Sequence, residues 1–291
     1  MKLHAKEIST SPSNPLENEP LIVDAVVLQP FQVAEVPAQQ TGLLQGFSIQ
    51  EGEQVQAGQV LASLDARAAR HELRQAELEH EMATLKVANE VHLRFAKKAL
   101  EVAQAELSRS NESIEQFAKS ISKSQLDVER LTVEKLLLES EQAQHELKIE
   151  HFGQELKHNS LEMAQLRLDQ HNLRAPFAGT VALVRGHVGE WVEIGRPVIR
   201  LVAVDRLKAE GFMLAERLRK VDKAHHSLVG RPVRIQVTLS DAQTIECHGT
   251  LRFVSPEMDP ISRQVRIWAE VKNDQQQLRP GQRGQMEILK P

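Results

Sequence analysis

The chain has 291 residues, enough for two ordinary domains, and its 41% hydrophobic and 26% charged residues exclude global disorder. A formal charge of −4 with both signs interleaved provides no basic face for nucleic acid, and with no Tyr, two Trp and eight Phe a deep aromatic-lined pocket is disfavoured. The single cysteine, Cys247, excludes an internal disulfide and any multi-cysteine zinc or redox site, and it reads as a small buried hydrophobe.

Residues 1–20, rich in Ser, Pro, Asn, Glu and Lys without periodicity, read as a mobile leader. From Leu21 to Gln32 the chain is β-branched and apolar, which predicts a strand. Asp24 and Pro30 break this run far short of the ~20 apolar residues of a membrane span, and it is not read as an export signal. The stretch 21–37 is expected to join a barrel formed further along the chain.

From 38 to 65, Gly42, Gly46, Gly52 and Gly58 punctuate short apolar runs at turn spacing, and Val60, Ala62 and Leu64 alternate as in a half-buried strand. The same pattern returns over 173–205. Gly42, Gly52, Val55 and Gly58 map onto Gly179, Gly189, Val192 and Gly195 with a constant offset of 137 residues. The six glycines Gly42, Gly52, Gly58, Gly179, Gly189 and Gly195 are expected to make the structural turns of two matching halves. A repeat interrupted once predicts that the halves pack together and that the insert leaves and returns at one place.

The insert, 66–172, has no proline and one glycine, Gly153, and begins after Asp65, a good helix N-cap. Leu93, Ala96, Leu100, Ala103 and Leu107 recur at steps of three and four, through Ser110 to Ile114, Phe117 and Ile121: a coiled-coil seam. A second seam is read at Ile149, Phe152, Leu156, Asn159, Met163 and Leu166, preceded by Leu126, Val133 and Leu137. Serines cluster between Ser108 and Ser124 and compete with helical backbone bonds, so the chain is predicted to reverse near Ala118. Two antiparallel arms of about 50 residues would each run about 75 Å.

Over 206–291, strands are predicted at 207–213, 232–239, 244–254, 265–271 and 285–289, with a short helix at 214–218, together a compact β-barrel. The fold class is therefore mixed α and β, elongated and modular: a β-barrel, and two matching halves that pack together and carry a long inserted antiparallel coiled-coil hairpin.

This arrangement resembles the HlyD-like membrane fusion proteins, the periplasmic adaptor subunits of bacterial efflux pumps and secretion systems, and the resemblance implies that the two halves form a split lipoyl-like, barrel-sandwich hybrid domain. The resemblance covers roughly residues 25–291. It is carried by the paired halves, with Leu173-Arg174-Ala175-Pro176-Phe177-Ala178-Gly179 opening the second, by the inserted hairpin, and by Asp259-Pro260-Ile261-Ser262-Arg263 and Leu278-Arg279-Pro280-Gly281 in the barrel. The resemblance implies a non-enzymatic protein without a cofactor, located in the periplasm and associated with the inner membrane. Its implied partners are an inner-membrane transporter and an outer-membrane channel of the TolC type, with several copies side by side as a homo-oligomer. By the family's tip pattern, Arg109, Ile114, Ser120 and Ser122 would contact the channel. A membrane-proximal domain is expected to be absent or minimal.

Other chemistries have less support. Lipoyl carriers attach their cofactor to a lysine on the hairpin between halves, a place here occupied by the helical insert. His145, His151 and His158 are spaced by six and seven, not as the i, i+4 pair of a helical zinc site, and His225 and His226 are adjacent; all read as solvated. No base lies near Ser110, Ser120 or Ser122 in sequence to build a triad, and no nucleotide-binding loop is present. The alternative class is a coiled-coil scaffold or tether without a transport role.

Overall fold

The computed structural model describes residues 21–116, 122–221, 228–238 and 244–289. The leader, the reversal near Ala118, Ser120 and the His225-His226 pair lie outside them. The chain divides into two compact units, Met1–Ala38 with Gly46–Ala62 and Leu173–Pro291, and Gln39–Gln45 with Ser63–Asn172.

In chain order the elements are β1 (Leu21–Pro37), β2 (Gly42–Phe47), β3 (Gln54–Val55), β4 (Val60–Leu64), α1 (Arg67–Ala88), α2 (Val91–Gln116), α3 (Lys123–Asp169), β5 (Asn172–Arg174), β6 (Gly179–Val184), β7 (Trp191–Val192), β8 (Pro197–Leu214), α4 (Ala215–Val221), β9 (Pro232–Thr238), β10 (Thr244–Met258), β11 (Gln264–Lys272) and β12 (Arg283–Ile288). Strands β1-β12-β9-β10-β11-β8 pair antiparallel in that order, and β8 pairs with β1 to close a six-stranded barrel. Closure leaves the barrel no free edge. Its interior follows the period of two: Val233, Ile235 and Val237 of β9 and Val265, Ile267, Ala269 and Val271 of β11 are buried, against Leu28, Leu207, Leu251 and Met286.

The expected N-terminal strand pairs with β12 through its first half, Leu21 opposite Ile288, and with β8 through its second, Val36 opposite Ile199. Likewise β8 pairs with β11 at one end and with β6 at the other, Thr180 opposite Val202. The division read at 205/206 thus falls inside a continuous strand. A strand that changes neighbours keeps its alternation, so the pattern carries no mark of the change. A second sheet holds four short strands in the order β5-β4-β2-β7.

The repeat is visible in the elements themselves, since β2 and β6, and β3 and β7, are displaced by the same 137 residues. Gly52, Gly58, Gly189 and Gly195 have φ between 80° and 87°. Each is the third residue of a turn closed by the following N–H, as in Glu53 to Gln50 O at 3.1 Å and Arg196 to Glu193 O at 3.1 Å. That is the type II position, where a side chain would be strained. Gly42 and Gly179, also expected in turns, instead open strands β2 and β6. Gly179 is needed for space: a Cβ there would lie 2.7 Å from the Val202 carbonyl oxygen.

In the second unit α1 and α2 both pack on α3. Lys157 Nζ donates to Glu79 Oε2 at 2.8 Å, Gln154 Nε2 to Thr84 Oγ1 at 3.1 Å, and Arg167 pairs with Glu72 at 3.6 Å. Numbers rise along one arm as they fall along the other, so the arms are antiparallel. The first arm is not continuous: it breaks at Asn89, where φ is −83° and ψ 76°, and Asn89 Oδ1 accepts from Val91 N at 3.4 Å. Asparagine's side chain competes for nearby backbone donors, and here it restarts the helix. The other arm, α3, runs unbroken for 47 residues, about 70 Å at 1.5 Å per residue.

The seam read on the first arm is the packed one: Ala96 and Ala103 are buried and Leu93, Leu100, Leu107, Ser110 and Ile114 half-buried. On α3 the reading is corrected. Leu126 and Val133 are half-buried, but Leu137, Ile149, Phe152, Leu156 and Met163 are exposed, with Asn159 and Leu166. The inner seam runs instead through Leu136, Ser140, Ala143, Leu147, Leu161, Ala164 and Leu168. Both series keep heptad spacing, and the inner one uses small side chains that let the helices approach, so side-chain bulk pointed to the wrong face.

Candidate functional site

The expected docking site is the end of the hairpin, where α2 finishes at Gln116 and α3 begins at Lys123. Ser122 is the N-cap of α3: its hydroxyl oxygen accepts from Gln125 N at 3.2 Å, one of the first-turn donors that the helix cannot satisfy itself. Arg109 is exposed on α2, and its Nε donates to the Ala105 carbonyl at 3.2 Å, one turn back. Ile114 continues the inner seam and is half-buried, so much of its side chain is covered within the hairpin. Ser120 lies outside the described residues. The structure therefore places Arg109, Ile114 and Ser122 on the two helix ends that flank the reversal, with Arg109 the most available of them.

The described residues give this end no acid–base chemistry. The carboxylates held below their ordinary range are each held by a partner that organises local structure. Arg67 hydrogen-bonds Asp65, Lys157 hydrogen-bonds Glu79, the Ser262 N–H bonds Asp259, and Arg252 hydrogen-bonds Glu270. Glu190 is held low first by the His187 N–H and then by Arg196. Cys247 goes the other way: burial, with Glu246 beside it, pushes its thiol up to about 11, and it donates to the Ile235 carbonyl at 3.5 Å. An unreactive thiol packed on the barrel core results.

Two features escaped the sequence reading. The cross-arm pair His80 and His158 has ring centroids 5.2 Å apart, although among the described residues no group of three His, Cys, Asp or Glu is placed to hold a metal ion. Only the antiparallel register brings them together. The second is Val188, Trp191 and Ile194, which are 65%, 62% and 66% exposed beside the turns of the second half. Their counterparts in the first half, 137 residues earlier, are Glu51, Gln54 and Ala57. The fold accepts polar or small residues at these positions, so the apolar trio is a property of one face, and comparing the copies position by position would have revealed it.

A model of the barrel-sandwich hybrid domain of RND membrane fusion proteins matches residues 32–204, and one of the CusB-like β-barrel domain matches residues 220–291. The chain is similar to the solvent efflux pump periplasmic linker SrpA of Pseudomonas putida, 23% identical over 270 residues that cover 86% of this chain and 56% of the relative. Similarity to the toluene efflux pump periplasmic linker protein TtgG, also of Pseudomonas putida, is likewise 23%, covering 86% of this chain and 55% of the relative. The chain spans between 43% and 56% of the length of the curated relatives it matches. The crystal structure of MacA from Actinobacillus actinomycetemcomitans has the same fold, with a TM-score of 0.60 at 20% identity over 92% of this chain and 78% of MacA.

Proposed function

The chain belongs to the RND-type membrane fusion proteins, and from that membership we infer that it is a periplasmic adaptor bridging an inner-membrane transporter to an outer-membrane channel. The observation that carries this reading is the match over 32–204, which takes in both halves of the repeat and the helical insert between them. The finer assignments are proposals of the same reading. They are an HlyD-like adaptor without catalytic activity, associated with the inner membrane, assembled as a homo-oligomer, and docking a channel of the TolC type through the hairpin end. The domain limits proposed are 38–65 with 173–205 for the lipoyl-like part, 66–172 for the hairpin and 206–291 with 21–37 for the barrel. Relatives named as linkers of solvent and toluene pumps put small apolar molecules forward as cargo.

In this mechanism the energy comes from the transporter, and the adaptor contributes rigid length and a docking end. Photocrosslinking in cells from position Ser120, with mass spectrometry of the adducts, tests it: an outer-membrane channel is expected, and adducts with cytosolic proteins alone reject it. The double variant Arg109→Asp with Ser122→Asp keeps a good N-cap, because Asp caps as well as Ser, while reversing the charge at the tip. Loss of export with retained helicity is expected; unchanged export removes these residues from the docking site.

A further inference from the structure

The inner seam of α1 uses the half-buried Ala76, Ala83 and Val87, and between the two alanines, at the next seam position, it carries His80. An imidazole is costly there, because a polar atom taken out of water needs a partner. His80 Nδ1 is buried and has none. Across the arms stands His158 of α3, with the two ring centroids 5.2 Å apart and the planes tilted by 48°. A tetrahedral metal ion holds imidazole nitrogens at about 2.0–2.1 Å, which puts the ring centres about 3.2 Å from the ion and about 5.2 Å from each other. The separation is therefore that of two ligands on one ion. His158 is also oriented as a ligand would be: its Nε2 lies 3.2 Å from Glu162 Oε1, one turn along α3, and a carboxylate on one ring nitrogen leaves the other to the metal. Both helices are fixed around the pair. Lys157 Nζ donates to Glu79 at 2.8 Å, and Thr84 Oγ1, which accepts from Gln154 at 3.1 Å, donates to the His80 carbonyl at 2.9 Å. Ligands already held in place cost less to order on binding.

We propose that His80 and His158 bind a divalent transition metal ion of the zinc class between the arms of the hairpin, and that the ion is a removable clasp of α1 on α3. Imidazole nitrogen suits zinc, copper and nickel, whereas magnesium and calcium take oxygen ligands. Among the described residues no third His, Cys, Asp or Glu is in place, so water completes the coordination, and Glu155, lining the same cleft, supplies negative charge beside it. Structural zinc sites use four protein ligands. A site with two loads and empties with the metal concentration around it, and the hairpin folds without it. An ion that binds the packed arms and not the separated ones stabilises the hairpin increasingly as its concentration rises. The clasp thus makes the stiffness of the hairpin at this height respond to metal.

The site is independent of any transporter or channel, so its test uses the purified full-length chain alone, stripped of metal with a chelator. The helical circular dichroism melt is recorded with no metal, with about 100 μM zinc chloride and with the same concentration of magnesium chloride. Zinc should raise the midpoint by at least about 4 °C and magnesium should leave it unchanged. His158→Gln, at an exposed position that the fold does not need, and His80→Gln should each abolish the zinc shift. His145→Gln, exposed on the same helix but far from the pair, should retain it. Calorimetric titration with zinc should count one site per chain that is missing in both His80→Gln and His158→Gln. No zinc shift in the unmodified chain, an equal shift with magnesium, or a shift that survives either substitution of the pair overturns the proposal.

Discussion

Gly42 and Gly179 occupy equivalent positions of the repeat and do different work. A Cβ at Gly42 would meet only the Leu64 Cβ, at 3.8 Å, whereas one at Gly179 would press on the Val202 carbonyl at 2.7 Å. Gly179→Ala should therefore cost about 1–3 kcal/mol, as overpacking does, and Gly42→Ala should stay within about 0.5 kcal/mol. Urea unfolding of the two variants checks the difference; equal midpoints would contradict it. Glu270 gives the pH dependence of the barrel exterior. It accepts from Arg252 Nε at 2.8 Å and from Arg206 at 3.2 Å, and Arg252 is the first cause of its lowered pKa. A carboxyl lower in the folded than in the unfolded state stabilises above the unfolded value and loses that contribution as pH falls through the folded one. Glu270→Gln should lower stability by about 0.5–1 kcal/mol at pH 7, and the gap from the unmodified chain should close in acid below the folded pKa. A gap independent of pH would refute the ion-pair account.

At the scale of the element, the hairpin separates two seams of equal period by burial alone. Ala143 is 2% exposed on the inner seam and Ile149 is 67% exposed on the outer one. A glutamate at 143 would be a buried charge without a partner, so Ala143→Glu should destabilise the hairpin by roughly 3 kcal/mol, whereas Ile149→Glu should leave the helicity of the isolated chain unchanged. Circular dichroism melts of the two variants at low concentration decide between them, and equal effects would mean that the seams are wrongly assigned. The break at Asn89 belongs to this scale as well. Asparagine in the middle of an apolar period is compatible with helix, as exposed Asn159 in α3 demonstrates, and only the local bond to Val91 marks Asn89 as a restart.

For the whole molecule, the division into two units makes a thermodynamic statement. Both tryptophans, Trp191 and Trp268, lie in the unit that holds the barrel, while α1, α2 and α3 lie in the other. Tryptophan fluorescence should thus report the first unit and helical circular dichroism chiefly the second. With separate cores the two probes should give distinct unfolding midpoints, and coincident transitions would show a single cooperative unit instead. Much of this organisation was legible in the residues. The constant offset of 137 matched both halves, the strands read at 232–239 and 265–271 coincide with β9 and β11 to within a residue or so at each end, and turn glycines with φ near 85° sit where Gly52, Gly58, Gly189 and Gly195 stand. The candidate tip was legible only in part, because Ser122 caps its own helix and Ile114 serves the inner seam.

The sequence by itself determined the elements whose cause is local: the type II turns that need glycine, the helical insert free of proline, and the strands with a period of two. Tertiary structure decided what depends on a neighbour: that β8 passes from one set of partners to another without a break, that Gly179 gives way to a crossing backbone, that His80 meets His158, and which of two heptads on α3 is covered. The physical reason is that periodicity specifies a face and never what lies against it. On α3 the bulky series Ile149 to Leu166 and the small series Ser140 to Ala164 have the same period. The close approach of the opposing arm selects the small one for the interior and leaves the bulky one in solvent.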